Sequence, residues 1–110
     1  MNSVVVRKDR EGRFCGFSSS GHAGFAETGY DIACAGISAL TITAVMALEQ
    51  LTALKPKIRQ NAQKALLECI WTNEASQVEK SDLIMKMMLL GLTEIQKQFP
   101  QHLSIQEVEV

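Results

Sequence analysis

The sequence lacks the features that mark several large classes of protein. Its 110 residues carry 11 Lys and Arg against 12 Asp and Glu, which gives a net charge of −1. Affinity for nucleic acid comes mainly from clustered basic side chains, so we expect no direct nucleic-acid contact. The chain contains no internal repeat and no segment of low complexity. What remains is one ordinary globular domain spanning residues 1–110, large enough for a modest core.

Cysteines and long apolar runs are also scarce. Three cysteines cannot all pair within one chain, so a disulfide scaffold is not expected and a reducing compartment fits better. The uncharged run over residues 32–48 falls short of the roughly 20 strongly apolar residues that span a bilayer. The first residues place a short apolar run ahead of their charges, which is the reverse of a signal peptide. We therefore expect a cytoplasmic protein with no membrane contact.

Periodicity predicts the elements of the fold. Helical spacing indicates helices from residue 32 to about 54 and from residue 81 to about 98, with Asp31 and Ser81 as N-caps. Residues 55–64 are polar and are expected to form a surface connection. Alternation of side chains predicts four strands, the last at the sheet edge: residues 3–7, 13–19, 65–71 and 103–110. The predicted fold is an α/β single-domain sandwich, a small mixed β-sheet with two helices in the order ββαβαβ.

Both predicted helices are expected to be largely covered. The first is apolar on most sides, so most of its surface needs a neighbour. The second repeats apolar residues at helical spacing, and three residues widen its apolar face: Leu83, Met87 and Leu90.

One cysteine has a setting that favours chemistry. With Asp31 as N-cap, Cys34 is the third residue of the first helix, where the helix dipole favours thiolate over thiol. The glycine-rich stretch before this helix, residues 20–30, carries His22, and a nearby histidine commonly activates a thiol nucleophile. A buried structural cysteine is the competing interpretation. Cys15 and Cys69 fall in predicted strands, where we expect burial and no chemistry.

Three motifs surround this cysteine in sequence: Gly21-His22-Ala23, then Gly29-Tyr30-Asp31-Ile32-Ala33-Cys34-Ala35, then Ser38. Together they resemble the Prp family, the ribosomal-processing cysteine proteases of Firmicutes and related bacteria. The order of elements agrees along nearly all of the chain. The resemblance implies that His22 takes the proton of Cys34 and that the thiolate attacks a peptide carbonyl.

The resemblance also implies a substrate and an assembly. The substrate would be a ribosomal protein precursor, the twenty-seventh protein of the large-subunit series, whose N-terminal extension is cut after an apolar, Phe-rich segment. The assembly would be a homodimer. No cofactor is expected, and no metal, because His22 and Cys34 lack the close-paired spacing of zinc ligands.

Supporting roles in this site stay open between alternatives. Asp31 caps the helix, or it orients His22 as the third member of a triad. Amides at the helix N-terminus could bind the oxyanion, but an Asp31 cap would occupy the Cys34 amide. Ser38, one turn below Cys34, bonds within the site or back to a carbonyl of its own helix. The resemblance places Gly21 beside the site. A loop that is mobile without substrate is expected to contact the peptide, through Ala23, Gly24, Gly29 and Tyr30.

Three further functions are compatible with the residues. A binding or assembly module would use the same cleft without catalysis and would survive loss of Cys34. A thiol redox sensor would need a resolving cysteine, and Cys15 and Cys69 are both expected in strands. A zinc site is the least favoured of the three, since His22 and Cys34 do not follow close-paired ligand spacing.

Overall fold

The chain begins with an antiparallel hairpin. In the computed structural model, which describes residues 1–21 and 28–110 and the side chains of all of these except 28–31, β1 (Asn2–Lys8) pairs with β2 (Phe14–Ser20). Asp9 closes the turn, because its Oδ1 accepts from the amides of Glu11 at 2.9 Å and Arg13 at 3.1 Å. Gly12 has a φ of 78°, a conformation that glycine adopts at no steric cost. Both predicted strands are confirmed to within one residue.

The other strands complete one mixed five-stranded sheet. Its remaining strands are β3 (Lys57–Asn61), β4 (Leu66–Ile70) and β5 (Leu103–Glu109), in the spatial order β3-β4-β2-β1-β5. β5 lies at an edge and runs parallel to β1, whereas the other pairs are antiparallel. The predicted class, one small mixed sheet with two helices, is confirmed.

The sheet contains one strand that was expected to be a connection. All five residues of β3 are exposed, so no side chain shows the alternation by which a half-buried strand is recognised in sequence. Its backbone pairs with β4, which defines it as a strand. The expectation of a surface connection over residues 55–64 is therefore wrong, and the full order is ββαββαβ.

Both helices start earlier than their expected caps. Helix α1 spans Thr28–Leu51 and helix α2 spans Val78–Gln98, so Asp31 and Ser81 each lie inside a first turn. Neither residue is the N-cap. Ser81 is fully buried, and its hydroxyl donates to the Val78 carbonyl at 3.2 Å. Asp and Ser favour both the cap position and the first turn, so their presence near a helix start leaves the boundary open by several residues.

One face of the sheet carries the core. The strand register places on this face the core residues Val4, Val6, Phe17, Cys69 and Leu103. Helix α1 packs on them through Ile37, Ala44 and Leu48, and α2 packs through residues that include Met85, Met88 and Leu92. The centre of the apolar face predicted for α2 is thus confirmed as buried. Its expected widening is wrong, since Leu83, Met87 and Leu90 are all more than half exposed.

The two helices approach each other closely through glycines. A Cβ on Gly36 of α1 would lie 2.8 Å from the Ile95 side chain, and one on Gly91 of α2 would lie 2.7 Å from the Leu40 methyls. This contact leaves the opposite side of α1 uncovered, where Ile42, Met46 and Leu51 are exposed. The expectation that most of α1 is covered is therefore not met within a single chain.

Residues 32–51 of α1 are long and apolar enough to cross a membrane by length and composition alone. The core helix of a soluble protein passes the same test. In this fold Ala33, Ile37, Thr41, Ala44 and Leu48 are buried in the interior.

Asn73 fastens the hairpin turn to the end of β4. Its Oδ1 accepts from Trp71 Nε1 at 3.0 Å, and its Nδ2 donates to Asp9 Oδ2 and the Phe14 carbonyl, both at 2.9 Å. The Asn73 hydrogen bond is the main reason that the pKa of Asp9 lies below its ordinary value of 3.8.

We expect Asn73→Ala to lower the free energy of unfolding by about 1–3 kcal/mol, because the buried Trp71 N–H loses its acceptor. The stability that the Asp9 carboxylate contributes is present above its ordinary pKa and is lost as pH falls through the lowered one. The difference in the free energy of unfolding between the variant and the parent should therefore become smaller at acidic pH. Urea unfolding at several pH values measures both effects. Asn61→Ala, at the exposed end of β3, is the control, and an equal loss in the two variants would contradict this role.

Candidate active site

The site lies at the end of the sheet where β1 begins and β2 ends. The pairs Asn2↔Leu103 and Ser3↔Ser20 mark this end, and Ser20↔Leu66 continues it into β4. The core-facing side of the sheet becomes polar here, at Asn2. Cys34 of α1 lies against this end, so the helix carries its thiol to the place where the apolar core stops.

Cys34 is half-buried and contacts a side chain of the first strand. Asn2 Nδ2 donates to Cys34 Sγ at 3.2 Å and to the His102 carbonyl at 3.4 Å. Asn2 itself is only 7% exposed. Asn2 is not predicted from the sequence as a site residue, although it lies two residues before Val4 and four before Val6 in the same alternation.

The helix start changes the electrostatic account of Cys34. Because α1 begins at Thr28, Cys34 lies in its second turn and is not the third helical residue. The dipole effect falls off within the first turn, so it favours the thiolate less than the sequence suggested. The early start also commits the Cys34 amide to the carbonyl four residues before it. The Cys34 amide is therefore not a free oxyanion donor, and the conflict with an Asp31 cap disappears.

Ser38 lies one turn beyond Cys34 and is exposed. It lines a groove of about 360 Å³ together with Ser19, Thr41 and the end of β3. A second groove of about 260 Å³ continues along α1 and shares Ile42 and Leu67 with the first. The two grooves form a continuous surface depression between α1 and the β3–β4 pair.

Gly21 lies beside Asn2 at one edge of the site. A Cβ on Gly21 would lie 2.7 Å from Asn2 Oδ1, so a side chain there would displace the amide. The Gly21 amide donates to the Ala65 carbonyl at 3.3 Å, which ties it to the turn before β4.

Several predicted site residues lie outside the description. His22, Ala23 and Gly24 are not among the described residues, and the mobility of their loop stays a prediction. Gly29 and Tyr30 were expected in that loop, but their backbone belongs to the first turn of α1. Among the described residues, no group of three or more His, Cys, Asp or Glu could hold a metal ion.

The other two cysteines have the burial that was predicted. Cys15 is 7% exposed and Cys69 is fully buried. Burial raises the pKa of Cys15, with a further contribution from the nearby Asp9 charge. Burial also raises the pKa of Cys69 to about 12, and the charge of Glu49 adds to the effect. A redox sensor would need one of these two thiols as its resolving partner, and both lie in the interior.

A family model described as cysteine protease Prp matches residues 1–104. The chain belongs to the Prp family. It is accordingly a cysteine protease. The ribosomal processing cysteine protease Prp of Bacillus subtilis is 26% identical over 107 residues, and the match covers 96% of each chain.

Solved Prp structures share this fold. The essential ribosomal processing protease Prp from S. aureus, in complex with a substrate peptide, matches with a TM-score of 0.86 and 26% identity. The same protease with a covalently linked product peptide matches with a TM-score of 0.83 and 26% identity. Each match covers 98% of this chain and 100% of the other.

Brief treatment with iodoacetamide at pH 6 should modify Cys34 before Cys15 or Cys69. Alkylation requires the thiolate and access, and a pKa of about 12 leaves Cys69 on the order of one thiolate in 10⁶ at this pH. Mass spectrometry of peptides from the quenched protein measures each site. Equal slow modification of all three cysteines would contradict an activated Cys34.

Proposed function

We propose that this protease removes the N-terminal extension of a large-subunit ribosomal protein, the twenty-seventh of its series. The observation that carries the proposal is the match to the Prp model over residues 1–104. The relatives named ribosomal processing proteases align over nearly their full length, and one of them binds a substrate peptide. The activity belongs with ribosome assembly, because the extension must leave before the mature protein can function.

We propose Cys34 as the nucleophile and His22 as its base. His22 takes the thiol proton, and the thiolate forms a bond to the scissile carbonyl carbon. His22 then returns the proton to the leaving amine, and water hydrolyses the acyl-enzyme. Two observations support Cys34: it is the half-buried cysteine of the three, and it lies at the polar end of the sheet. The S. aureus relative with a covalently linked product peptide is consistent with covalent chemistry.

Asp31 is proposed to orient His22. The position of Asp31 inside the first turn of α1, and not at its N-cap, supports this proposal. A carboxylate in the first turn also interacts favourably with the helix dipole, which is worth about 0.3–1 kcal/mol. Replacement of Asp31 is therefore expected to reduce activity more than stability.

The grooves beside α1 are proposed to bind the apolar, Phe-rich segment before the cut bond. They begin at Ser38, one turn from Cys34, and continue past Ile42 and Leu67 to Met46 and Ile58. Strand β3 forms one wall, and its unpaired edge is open to an extended peptide.

We also propose a homodimer that acts in the cytoplasm. Leu83, Met87 and Leu90 form an exposed apolar stripe along α2, which a second copy would cover. The three free cysteines suit a reducing compartment. Sedimentation velocity of the intact protein measures the assembly.

Cys34→Ser and His22→Ala should each abolish cleavage of an extended ribosomal-protein N-terminus while the fold is retained. Both side chains belong to one proposed unit, so each loss should be roughly 10³-fold or more, and the double variant should be little worse. Cleavage is followed by mass spectrometry, and circular dichroism checks the fold. Cys15→Ala and His102→Ala are matched controls, because each removes the same kind of side chain elsewhere, and both should retain cleavage.

Undiminished cleavage by Cys34→Ser would overturn this function and favour the binding module. Loss of cleavage in His102→Ala, with cleavage retained in His22→Ala, would contradict the role of His22 and show that His102 is the base. Peptides in which the phenylalanines before the cut are replaced by serine test the apolar subsite in the same assay, and their cleavage should slow markedly.

A further inference from the structure

Asn2 is a polar residue at a core position. The β1 register places it on the same face as Val4 and Val6, and it is 7% exposed. Burying an amide is costly unless its hydrogen bonds are made inside the protein. An apolar side chain at this position would fit the alternation of the strand equally well. The presence of a buried amide there therefore requires a separate explanation.

The hydrogen bonds of Asn2 fix which atom faces the sulfur. Its Nδ2 lies 3.2 Å from Cys34 Sγ and 3.4 Å from the His102 carbonyl oxygen. A carbonyl oxygen can only accept, so the flipped amide would set two acceptor oxygens against each other. The nitrogen therefore faces Cys34, and the sulfur accepts one of its two hydrogens.

The amide is held in place from other directions as well. The Asn2 backbone amide donates to the same His102 carbonyl at 2.9 Å, which anchors the residue to the start of β5. Gly21 approaches Oδ1 so closely that a Cβ would lie 2.7 Å from it. An amide held in this way keeps one of its two N–H groups directed at the thiol of α1 and the other at the His102 carbonyl.

We propose that Asn2 stabilises the thiolate of Cys34 and fixes the position of its sulfur. This inference rests on the proposed role of Cys34 as nucleophile. A donor to an ionised acceptor makes a hydrogen bond about twice as strong as one to a neutral acceptor, so the contact favours the anion over the thiol. Asn2 exchanges no proton itself, since the thiol proton passes to the base. The contact supplies what the second-turn position of Cys34 in α1 gives only weakly.

The test compares Asn2→Leu and Asn2→Asp with the parent and with Ser3→Ala. Leucine keeps the volume and suits the core position, whereas aspartate keeps the shape, lacks the N–H donors and adds negative charge. Ser3 lies next to Asn2 on the opposite face of β1 and is the control. The rate of Cys34 alkylation by iodoacetamide is measured across pH, together with kcat and KM for the extension peptide.

In Asn2→Leu the alkylation midpoint should rise by about one pH unit, and kcat at pH 7 should fall about tenfold with KM little changed. In Asn2→Asp the midpoint should rise further, because a carboxylate opposes the thiolate. Ser3→Ala should match the parent. A purely structural role would lower the melting temperature without moving the midpoint.

Unchanged midpoints of Cys34 alkylation in both Asn2 variants would overturn the inference. If one variant does not fold, the other variant alone is sufficient for the test. Cys34→Ser is assayed in parallel to separate the two proposals. If it still cleaves, the proposed function fails, whereas the alkylation profiles report on Asn2 without reference to activity.

Discussion

Helix α1 meets two requirements with one surface: it packs into the core, and its N-terminal part lies beside a polar site. Its inner residues pack on the sheet and on α2, where Gly36 and Gly91 allow close approach. At the N-terminal side of the same face the sheet becomes polar at Asn2, and there the helix presents Cys34. Because the packing fixes both the axial position and the rotation of α1, it also fixes where the thiol lies.

The strands with one buried face could be predicted from sequence, because their apolar and polar side chains alternate between the buried and the exposed face. β1, β2, β4 and β5 were located to within about a residue of their observed ends. β3 was missed, since an exposed edge strand has no buried face and is held by backbone hydrogen bonds alone. Leu83 and Leu90 show the opposite error, since they are predicted to widen the covered face of α2 but are exposed. Apolar periodicity identifies an apolar helix face, but it does not identify what packs against that face.

The helix starts show how a local rule misleads. Asp31 and Ser81 are each predicted to be N-caps, and each lies three residues after the observed first residue of its helix. Their residue types suit the cap and the first turn alike, so the sequence could not choose between them. For Cys34 the difference matters, since a second-turn thiol gains less from the helix dipole. The residue that contacts its sulfur, Asn2, is 32 positions away in sequence, and only the β1 register and the docking of α1 bring the two together.

The proposed mechanism requires Cys34 to carry the acyl group during cleavage. Rapid quenching of the reaction in acid, followed by proteolysis and mass spectrometry, measures this directly with an extension peptide as substrate. We expect a thioester between the segment before the cut and the fragment that contains Cys34, formed and lost at the rate of turnover. Cleavage that proceeds with no adduct, or with an adduct on Cys15 or Cys69 alone, would contradict it.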